Sequence, residues 1–323
     1  MSTTIIEVNQ LSKHFDDFKA VDEISFSVNN GEVFGFLGPN GAGKTTTINM
    51  LTGLARPTSG SILIAGEDGI KHIKKVQQLI GIVPDESNLY DEMSGLENLI
   101  FCASLYGLEK QERESRAKQL LDQFGLANTG KRSFKAYSKG MKRKLTIAAG
   151  IIHQPQILFL DEPTTGIDVE SARQIRKLLQ ELNHYGTTIF LTTHYIEEAE
   201  RLCNRVGFIV EGKVVRIGGL SELMQDAQQD NIVEFALESN STDLQKALEK
   251  EFPKTKITKL EDDKIRISSP VRIELMPFMN FFAQAQVPVY EAKVIHPSLE
   301  DVFVKITGIE LSKMKKEKEG RKK

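Results

Sequence analysis

The chain has 323 residues, of which 40% are hydrophobic and 27% are charged. That is enough apolar material to build a globular protein of two or three domains. Lysine and arginine together number 42 against 44 aspartates and glutamates, which gives a formal net charge of -2. This balance excludes a protein whose whole surface binds nucleic acid, so we expect no nucleic-acid partner.

The sequence favours a cytoplasmic protein that does not itself cross a membrane. Its first ten residues, MSTTIIEVNQ, lack the basic start and long apolar stretch of a signal peptide. Apolar runs such as 147–152 and 157–160 are far shorter than the ~20 residues that a membrane-spanning helix needs. The two cysteines, Cys102 and Cys203, form no CxxC pair, and we expect reduced, buried thiols rather than a disulfide or a zinc site.

In chain order, the hydrophobic pattern predicts an α/β core that a helical block interrupts. Residues 5–84 are rich in alternating, strand-like segments. Residues 95–152 instead place apolar side chains three and four residues apart, which predicts helices. The runs 157–160 and 187–191 read as buried parallel strands on either side of a crossover helix. The predicted buried face of that helix is Ile175, Leu178, Leu179 and Leu182.

A second, smaller domain is predicted after a hairpin at 208–215 that closes the first domain. Residues 231–295 read as strand, helix, strand, strand, helix and strand, which is the ferredoxin-like βαββαβ order, and a last helix follows from Pro297. We predict a first domain over 1–220 with a helical subdomain inserted at about 87–153, an accessory domain over 221–310, and a disordered basic tail over 311–323.

The segment GPNGAGKT matches the GxxxxGK[ST] phosphate-binding loop, or P-loop. It follows the predicted strand 33–37 and precedes a helix predicted from Thr46, a context that disfavours a chance glycine-rich turn. In such a loop backbone N–H groups converge on the β-phosphate, Lys44 reaches the β- and γ-phosphates, and the Thr45 hydroxyl ligates Mg²⁺. The predicted ATP-binding residues here are Gly38, Pro39, Asn40, Gly41, Ala42, Gly43, Lys44, Thr45 and Thr46.

The strand 157–160 ends in two carboxylates, Asp161 and Glu162, as a Walker B segment does. Asp161 is then expected to hold Mg²⁺ through water, and Glu162 is the candidate base for the attacking water. A strand that merely ends in an acidic loop would explain this segment by itself. The P-loop upstream makes the Walker B interpretation the better one.

With these motifs the sequence resembles the ABC ATPase family over residues 5–219. The segment YSKGMKRK at 137–144 resembles the signature motif LSGGQ of that family. The resemblance implies that Ser138 and the Gly140 backbone bind the γ-phosphate of ATP held by a second copy, in a head-to-tail dimer enclosing two ATP. Ser138 also suits a helix N-cap. Lys139 replaces the usual glycine, so a positive φ there would be costly, whereas its charge suits a triphosphate.

The resemblance assigns three further site residues. Phe15 matches the aromatic residue that stacks on adenine, with a core phenylalanine as the alternative. Asp85 occupies the Q-loop position, where glutamine normally contacts Mg²⁺ and reports nucleotide state; a carboxylate can ligate the ion but cannot donate a hydrogen bond. His194 matches the switch histidine that bonds the γ-phosphate and positions water beside Glu162. The predicted catalytic residues are thus Glu162, His194 and Lys44, and the predicted Mg²⁺ ligands are Thr45, Asp85 and Asp161.

The implied fold is α/β: a P-loop NTPase (RecA-like) ABC ATPase core with a helical subdomain, followed by a small α+β, ferredoxin-like domain. Residues 297–303 resemble a segment of ABC subunits that work with ABC-2-type export permeases, although an amphipathic helix would look similar. We therefore expect an ATP-hydrolysing subunit at the cytoplasmic face of the membrane, energising export of an unknown substrate through a separate permease.

Two other functions stay open from the sequence. A soluble ABC protein that remodels ribosomes or DNA typically carries two ATPase cassettes, long coiled coils or zinc modules, whereas this chain has one P-loop, one signature and no CxxC. An importer motor is disfavoured only by the export-like segment 297–303.

Overall fold

The computed structural model describes residues 3–227, 231–239, 242–261, 263–295 and 298–309. The chain divides into two compact units. One runs to Leu220 and resumes at Ile306, and the other runs from Ser221 to Lys305. The predicted disordered tail over 311–323 and the predicted helix start at Pro297 lie outside the described residues.

The first unit is built on two sheets. Its strands are β1 (Thr4–Phe15), β2 (Phe18–Asn29), β3 (Val33–Leu37), β4 (Ser59–Ile64), β5 (Glu67–Asp68), β6 (Ile80–Val83), β7 (Ile157–Asp161), β8 (Thr188–Thr193), β9 (Arg205–Val210) and β10 (Lys213–Gly219). A four-stranded sheet has the order β2-β1-β4-β5, and a six-stranded sheet has the order β10-β9-β3-β8-β7-β6. The pairs along β9-β3-β8-β7-β6 are parallel, and β10 adds an antiparallel edge through the hairpin predicted at 208–215.

Helices cover and connect these strands. They are α1 (Lys44–Leu51), α2 (Ile73–Leu79), α3 (Gly95–Leu105), α4 (Lys110–Gln123), α5 (Lys139–Gly150), α6 (Val169–His184) and α7 (Ile196–Leu202). A further helix, α8 (Leu220–Ala227), begins where the first unit ends. The predicted helical block is confirmed by α3, α4 and α5. Two 3-10 turns, Ala127–Thr129 and Phe134–Ala136, lie between α4 and α5. The predicted crossover is also confirmed, because α6 connects the parallel pair β7 and β8 and buries all four predicted residues.

Two local expectations are settled by the backbone. Ser138 caps α5 as predicted, accepting a hydrogen bond from the Met141 N–H at 3.3 Å. The expected cost of a positive φ at Lys139 is wrong, because Lys139 is the first residue of α5 and is not among the residues with positive φ. Both cysteines are free; Cys203 is buried as expected, but Cys102 is only half-buried.

The core of the first unit centres on phenylalanine rings. Phe190 on β8 lies 5.5–5.9 Å, between ring centroids, from Phe26, Phe34, Phe36 and Phe159. Tilted and offset rings at this spacing pack favourably. Since these residues come from β2, β3, β7 and β8, the cluster holds the two sheets together.

The second unit contains one antiparallel sheet. Its elements are β11 (Asn231–Leu237), α9 (Thr242–Glu251), β12 (Lys256–Lys259), β13 (Lys264–Ser269), α10 (Leu275–Gln284), β14 (Val289–Ile295) and α11 (Leu299–Thr307). The strand order is β12-β13-β11-β14 with every neighbouring pair antiparallel, which is the ferredoxin-like arrangement. Phe235, Phe278 and Phe282 lie in its buried core. None of the helices in the described part of the chain has both the length and the apolar composition that a bilayer-spanning helix needs.

Replacing Phe190 by alanine should lower the free energy of unfolding by about 3–5 kcal/mol, because a fully buried ring leaves a cavity among four other rings. Denaturation in guanidinium chloride without nucleotide measures this change. Phe18→Ala is the matched control: Phe18 is 64% exposed, so its removal should cost less than about 0.5 kcal/mol. Equal effects of the two substitutions would contradict this account of the core.

Candidate functional site

The candidate site lies where the parallel strands end. In a parallel sheet all carboxyl ends meet at one edge, and the loops that follow them line a shared crevice. Here the loops after β3, β6, β7 and β8 border a cleft of about 410 Å³. The cleft is lined by Phe15, Phe18, Ala20, Asn40, Gly41, Gly43, Lys44, Thr45, Thr46, Asp85, Glu162, Thr165 and His194.

Most of the predicted site residues are brought together by this cleft, including the three predicted catalytic ones. Asp161 is buried beside it, in contact with Thr45. Gly38, Pro39 and Ala42 belong to the same loop without lining the cleft. The predicted pair Ser138 and Gly140 does not line it at all.

The P-loop conformation depends on glycine at position 43. Gly43 has φ of 100°, in the left-handed region, and an added Cβ would lie 2.5 Å from the Ala20 carbonyl oxygen. Any other residue would both strain the backbone and clash with β2. Helix α1 then begins at Lys44, two residues before the predicted start at Thr46, so its N-terminus opens directly into the cleft.

Lys44 is a buried cation that the loop itself holds in place. Its Nζ donates hydrogen bonds to the carbonyl oxygens of Gly38 at 2.8 Å and Pro39 at 3.0 Å, and it lies 3.5 Å from Glu162 Oε1. Burial lowers the pKa of Lys44, although the carboxylates of Glu162 and Asp161 act in the opposite direction. The ammonium group therefore lies close to the carboxyl end of β7, where Asp161 and Glu162 are located.

Asp161 accepts hydroxyl donors on both carboxylate oxygens. The Thr45 hydroxyl donates to Oδ2 at 2.7 Å, and the Thr192 hydroxyl donates to Oδ1. Thr192 was not predicted from the sequence, although the parallel pairing of β7 and β8 places it directly beside Asp161. The convergence of carboxylate and hydroxyl oxygens matches the ligands that Mg²⁺ takes in proteins.

Glu162 is fixed by both backbone and side-chain contacts. Its Oε2 lies 2.7 Å from His194 Nδ1 and accepts a hydrogen bond from the Thr165 hydroxyl at 2.9 Å. Burial raises the pKa of Glu162, but hydrogen bonds and charges from His194, Lys44 and Thr165 outweigh it, so the pKa is below its usual value. Its φ of 50° is uncommon for a residue with a side chain. Glu162 is thus an ionised carboxylate held in a strained conformation.

Two phenylalanines form one wall of the cleft. Phe15 is 51% exposed and Phe18 is 64% exposed, so the alternative of a core phenylalanine at position 15 is wrong. They are paired across the turn between β1 and β2, and Lys13 Nζ lies 4.9 Å from the centre of the Phe15 ring. Phe18 was not predicted as a site residue. The one signal in the sequence is that Phe15 and Phe18 flank Asp16-Asp17, so a tight turn at these two residues pairs the phenylalanines.

The signature segment has a local role of its own. Gly140 is buried in the first turn of α5, and an added Cβ would clash with the Ser171 hydroxyl of α6. Asp168 caps α6 by accepting a hydrogen bond from the Ser171 N–H at 2.8 Å. The contact between these two helix starts requires glycine at 140 whatever else the segment does.

Comparisons with known proteins agree with this architecture. The sequence pattern described as ABC transporter matches residues 21–165. The linearmycin resistance ATP-binding protein LnrL of Bacillus subtilis (strain 168) is 36% identical over 306 residues, covering 94% of this chain and 98% of that protein. The daunorubicin resistance ATP-binding protein DrrA3 of Streptomyces coeruleorubidus is 35% identical over 311 residues, covering 95% of this chain and 97% of that protein.

Among solved structures, part of this chain is similar to the ATP-binding cassette MJ0796 in a dimeric, post-hydrolysis state bound to ADP and Pi. The TM-score is 0.62 at 25% identity, over 67% of this chain and 99% of that one. The predicted fold class is confirmed, since the P-loop, the parallel sheet and the helical block occur together. The chain therefore belongs to the ABC transporter family, as one of its ATP-binding ATPase subunits.

Proposed function

We propose that this chain is the ATP-hydrolysing motor of an exporter, acting through a separate ABC-2-type permease at the cytoplasmic face of the membrane. The observation that carries the proposal is a single cleft that contains the P-loop, the Glu162 carboxylate and the His194 imidazole. The names of the two relatives, resistance proteins for linearmycin and daunorubicin, support export as the process. Cargo contacts belong to the permease, so we propose no particular cargo.

ATP is proposed to bind along the P-loop with its triphosphate over the start of α1. Backbone N–H groups of residues 40–45 and the positive end of the helix suit an anion there. The buried Lys44 ammonium adds a charge-assisted contact to the β- and γ-phosphates. Phe15 and Phe18 offer exposed ring faces on which adenine can stack.

Mg²⁺ fits the oxygen atoms next to this loop. The Thr45 hydroxyl and the Asp161 carboxylate are already in contact, and Asp85 lines the same cleft with a second carboxylate. We assign these three residues as the ligands, directly or through water. When bound, the ion neutralises negative charge on the phosphate oxygens.

Hydrolysis requires a water oxygen to attack the γ-phosphorus while the bond to the β–γ bridging oxygen breaks, giving ADP and inorganic phosphate. Glu162 accepts the proton of that water, because its contacts keep the carboxylate ionised. His194 fixes the direction of the carboxylate through the 2.7 Å contact and can donate to the γ-phosphate. Lys44 offsets the charge that develops on the phosphate oxygens.

A second copy of the chain is proposed to complete the site. Ser138 and Gly140 do not line the cleft of their own chain, which is what a role opposite another copy requires. The start of α5 would then meet the γ-phosphate held by the partner copy, with the Lys139 charge nearby. The dimeric state of MJ0796 supports this arrangement.

Glu162→Gln should retain ATP binding and reduce kcat by roughly a hundredfold or more, because the amide cannot accept the proton while the phosphate-binding loop is intact. The variant should also accumulate as an ATP-bound dimer, detectable by size-exclusion chromatography. Glu197→Gln is the matched control, since that side chain is 83% exposed on α7. Turnover by Glu162→Gln at the wild-type rate would remove Glu162 from the mechanism.

Lys44→Ala should weaken ATP binding roughly 10- to 100-fold, because a charge-assisted contact to phosphate contributes about 1.5–3 kcal/mol. Equilibrium titration with a fluorescent ATP analogue measures the change. Lys177→Ala, at a lysine 79% exposed on α6, should bind the analogue like wild type. Unchanged affinity in Lys44→Ala would contradict the proposed phosphate site.

Purification of the tagged chain from gently solubilised membranes of its native cell should bring down one polytopic membrane protein. This result would support the exporter and identify its permease. Recovery of ribosomes or DNA without a membrane protein would instead favour the soluble remodelling function, and a permease with a substrate-binding partner would favour import. Untagged cells processed in parallel define the background.

A further inference from the structure

Arg143 is a buried cation on α5 that the proposed mechanism does not use. It is 7% exposed, whereas its neighbours Lys142 and Lys144 are half-buried. Its guanidinium donates hydrogen bonds to the backbone carbonyl oxygens of Pro84, Asp85, Asp161, Glu162 and Pro163. A planar guanidinium has five N–H donors in a fixed fork, and a lysine ammonium cannot reproduce that geometry.

The five acceptors belong to two segments of the candidate site. Asp161, Glu162 and Pro163 continue strand β7, and their carbonyl oxygens lie 2.5 Å from Nη2, 2.7 Å from Nη2 and 2.8 Å from Nε. Pro84 and Asp85 follow strand β6, and the Asp85 carbonyl lies 3.1 Å from Nη1. Arg143 therefore connects the loop that contains Asp85 with the carboxyl end of β7, where Asp161 and Glu162 are located.

One of the carbonyl groups that Arg143 binds belongs to Glu162, a residue with a positive φ. Glu162 has φ of 50°, a conformation that costs free energy unless its surroundings impose it. Arg143 binds the carbonyl of Glu162 and those of the residues before and after it. The backbone of Glu162 is thus held on both sides, and its carboxylate direction depends on this restraint.

We propose that Arg143 is the positioning residue that couples α5 to the catalytic carboxylate. Because Ser138 caps the same helix, Arg143 links the surface proposed to meet a second copy to the backbone of Glu162 and Asp85. The inference rests on the proposed roles of Glu162 and of the signature segment. Arg143 itself touches neither ATP nor water in this account, so it acts through Glu162.

The test compares ATP hydrolysis by purified full-length Arg143→Lys and wild type. Lysine keeps the positive charge but lacks the planar set of N–H donors that holds the backbone around Glu162. We therefore expect kcat to fall about 10- to 100-fold, as when a catalytic group is misplaced by an ångström or less. The affinity for a fluorescent ATP analogue, measured without Mg²⁺, should stay within about twofold, because the hydrogen bonds of Arg143 go to the Asp85 loop and to the end of β7 and not to the P-loop. Arg201→Lys, at an arginine 61% exposed on α7, is the matched control and should behave like wild type.

Glu162→Gln, measured in the same assay, separates the two claims. If Glu162→Gln is inactive and Arg143→Lys hydrolyses ATP like wild type, the Arg143 inference is overturned and the proposed function stands. If Glu162→Gln hydrolyses ATP normally, both are overturned. Should Arg143→Lys fail to fold, Arg143→Gln is measured in its place, and failure of both to fold overturns the inference in favour of a purely structural role.

Discussion

Parallel pairing of β3, β8 and β7 is the constraint on which the rest of the molecule depends. It brings the residues after Leu37, Asp161 and Thr193 to one edge of the sheet, although they are far apart in the chain. The phenylalanine cluster fixes this sheet against its antiparallel neighbour, and Gly43 allows the loop after β3 to pass close to β2. The chemistry of the cleft follows from that geometry, since the loops after the strand ends bring its functional groups together.

The fold was largely predictable because its signals are local and periodic. Burial on one face produces the alternating pattern of β11 and β13 and the apolar face of α6. Burial on both faces produces the continuous apolar runs of β7 and β8. The P-loop and Walker B residues were predictable for another reason: their spacing from strand ends determines what they can reach. The start of α1 was misplaced because a glycine-rich loop carries no periodicity that marks its boundary with the helix.

The sequence could not show which residues that are distant in the chain contact each other. Nothing in the run Lys142-Arg143-Lys144 indicates that the middle cation is buried against two loops while its neighbours are only half-buried. Thr192 and Phe18 were missed likewise, since a threonine in a strand or a phenylalanine in a hairpin is ordinary until the strand opposite is known. The Lys139 expectation was wrong for the opposite reason: a family pattern suggested strain that the helix start does not have.

The two hydroxyl contacts of Asp161 fix the orientation of its carboxylate. Thr45 donates to one oxygen from the start of α1, and Thr192 donates to the other oxygen from β8. Each carboxylate oxygen has two lone pairs, so each can still accept a second group. The direction of the remaining lone pairs is therefore set by a helix and a strand together. In this way the orientation of the Asp161 carboxylate depends on how α1 packs against the sheet.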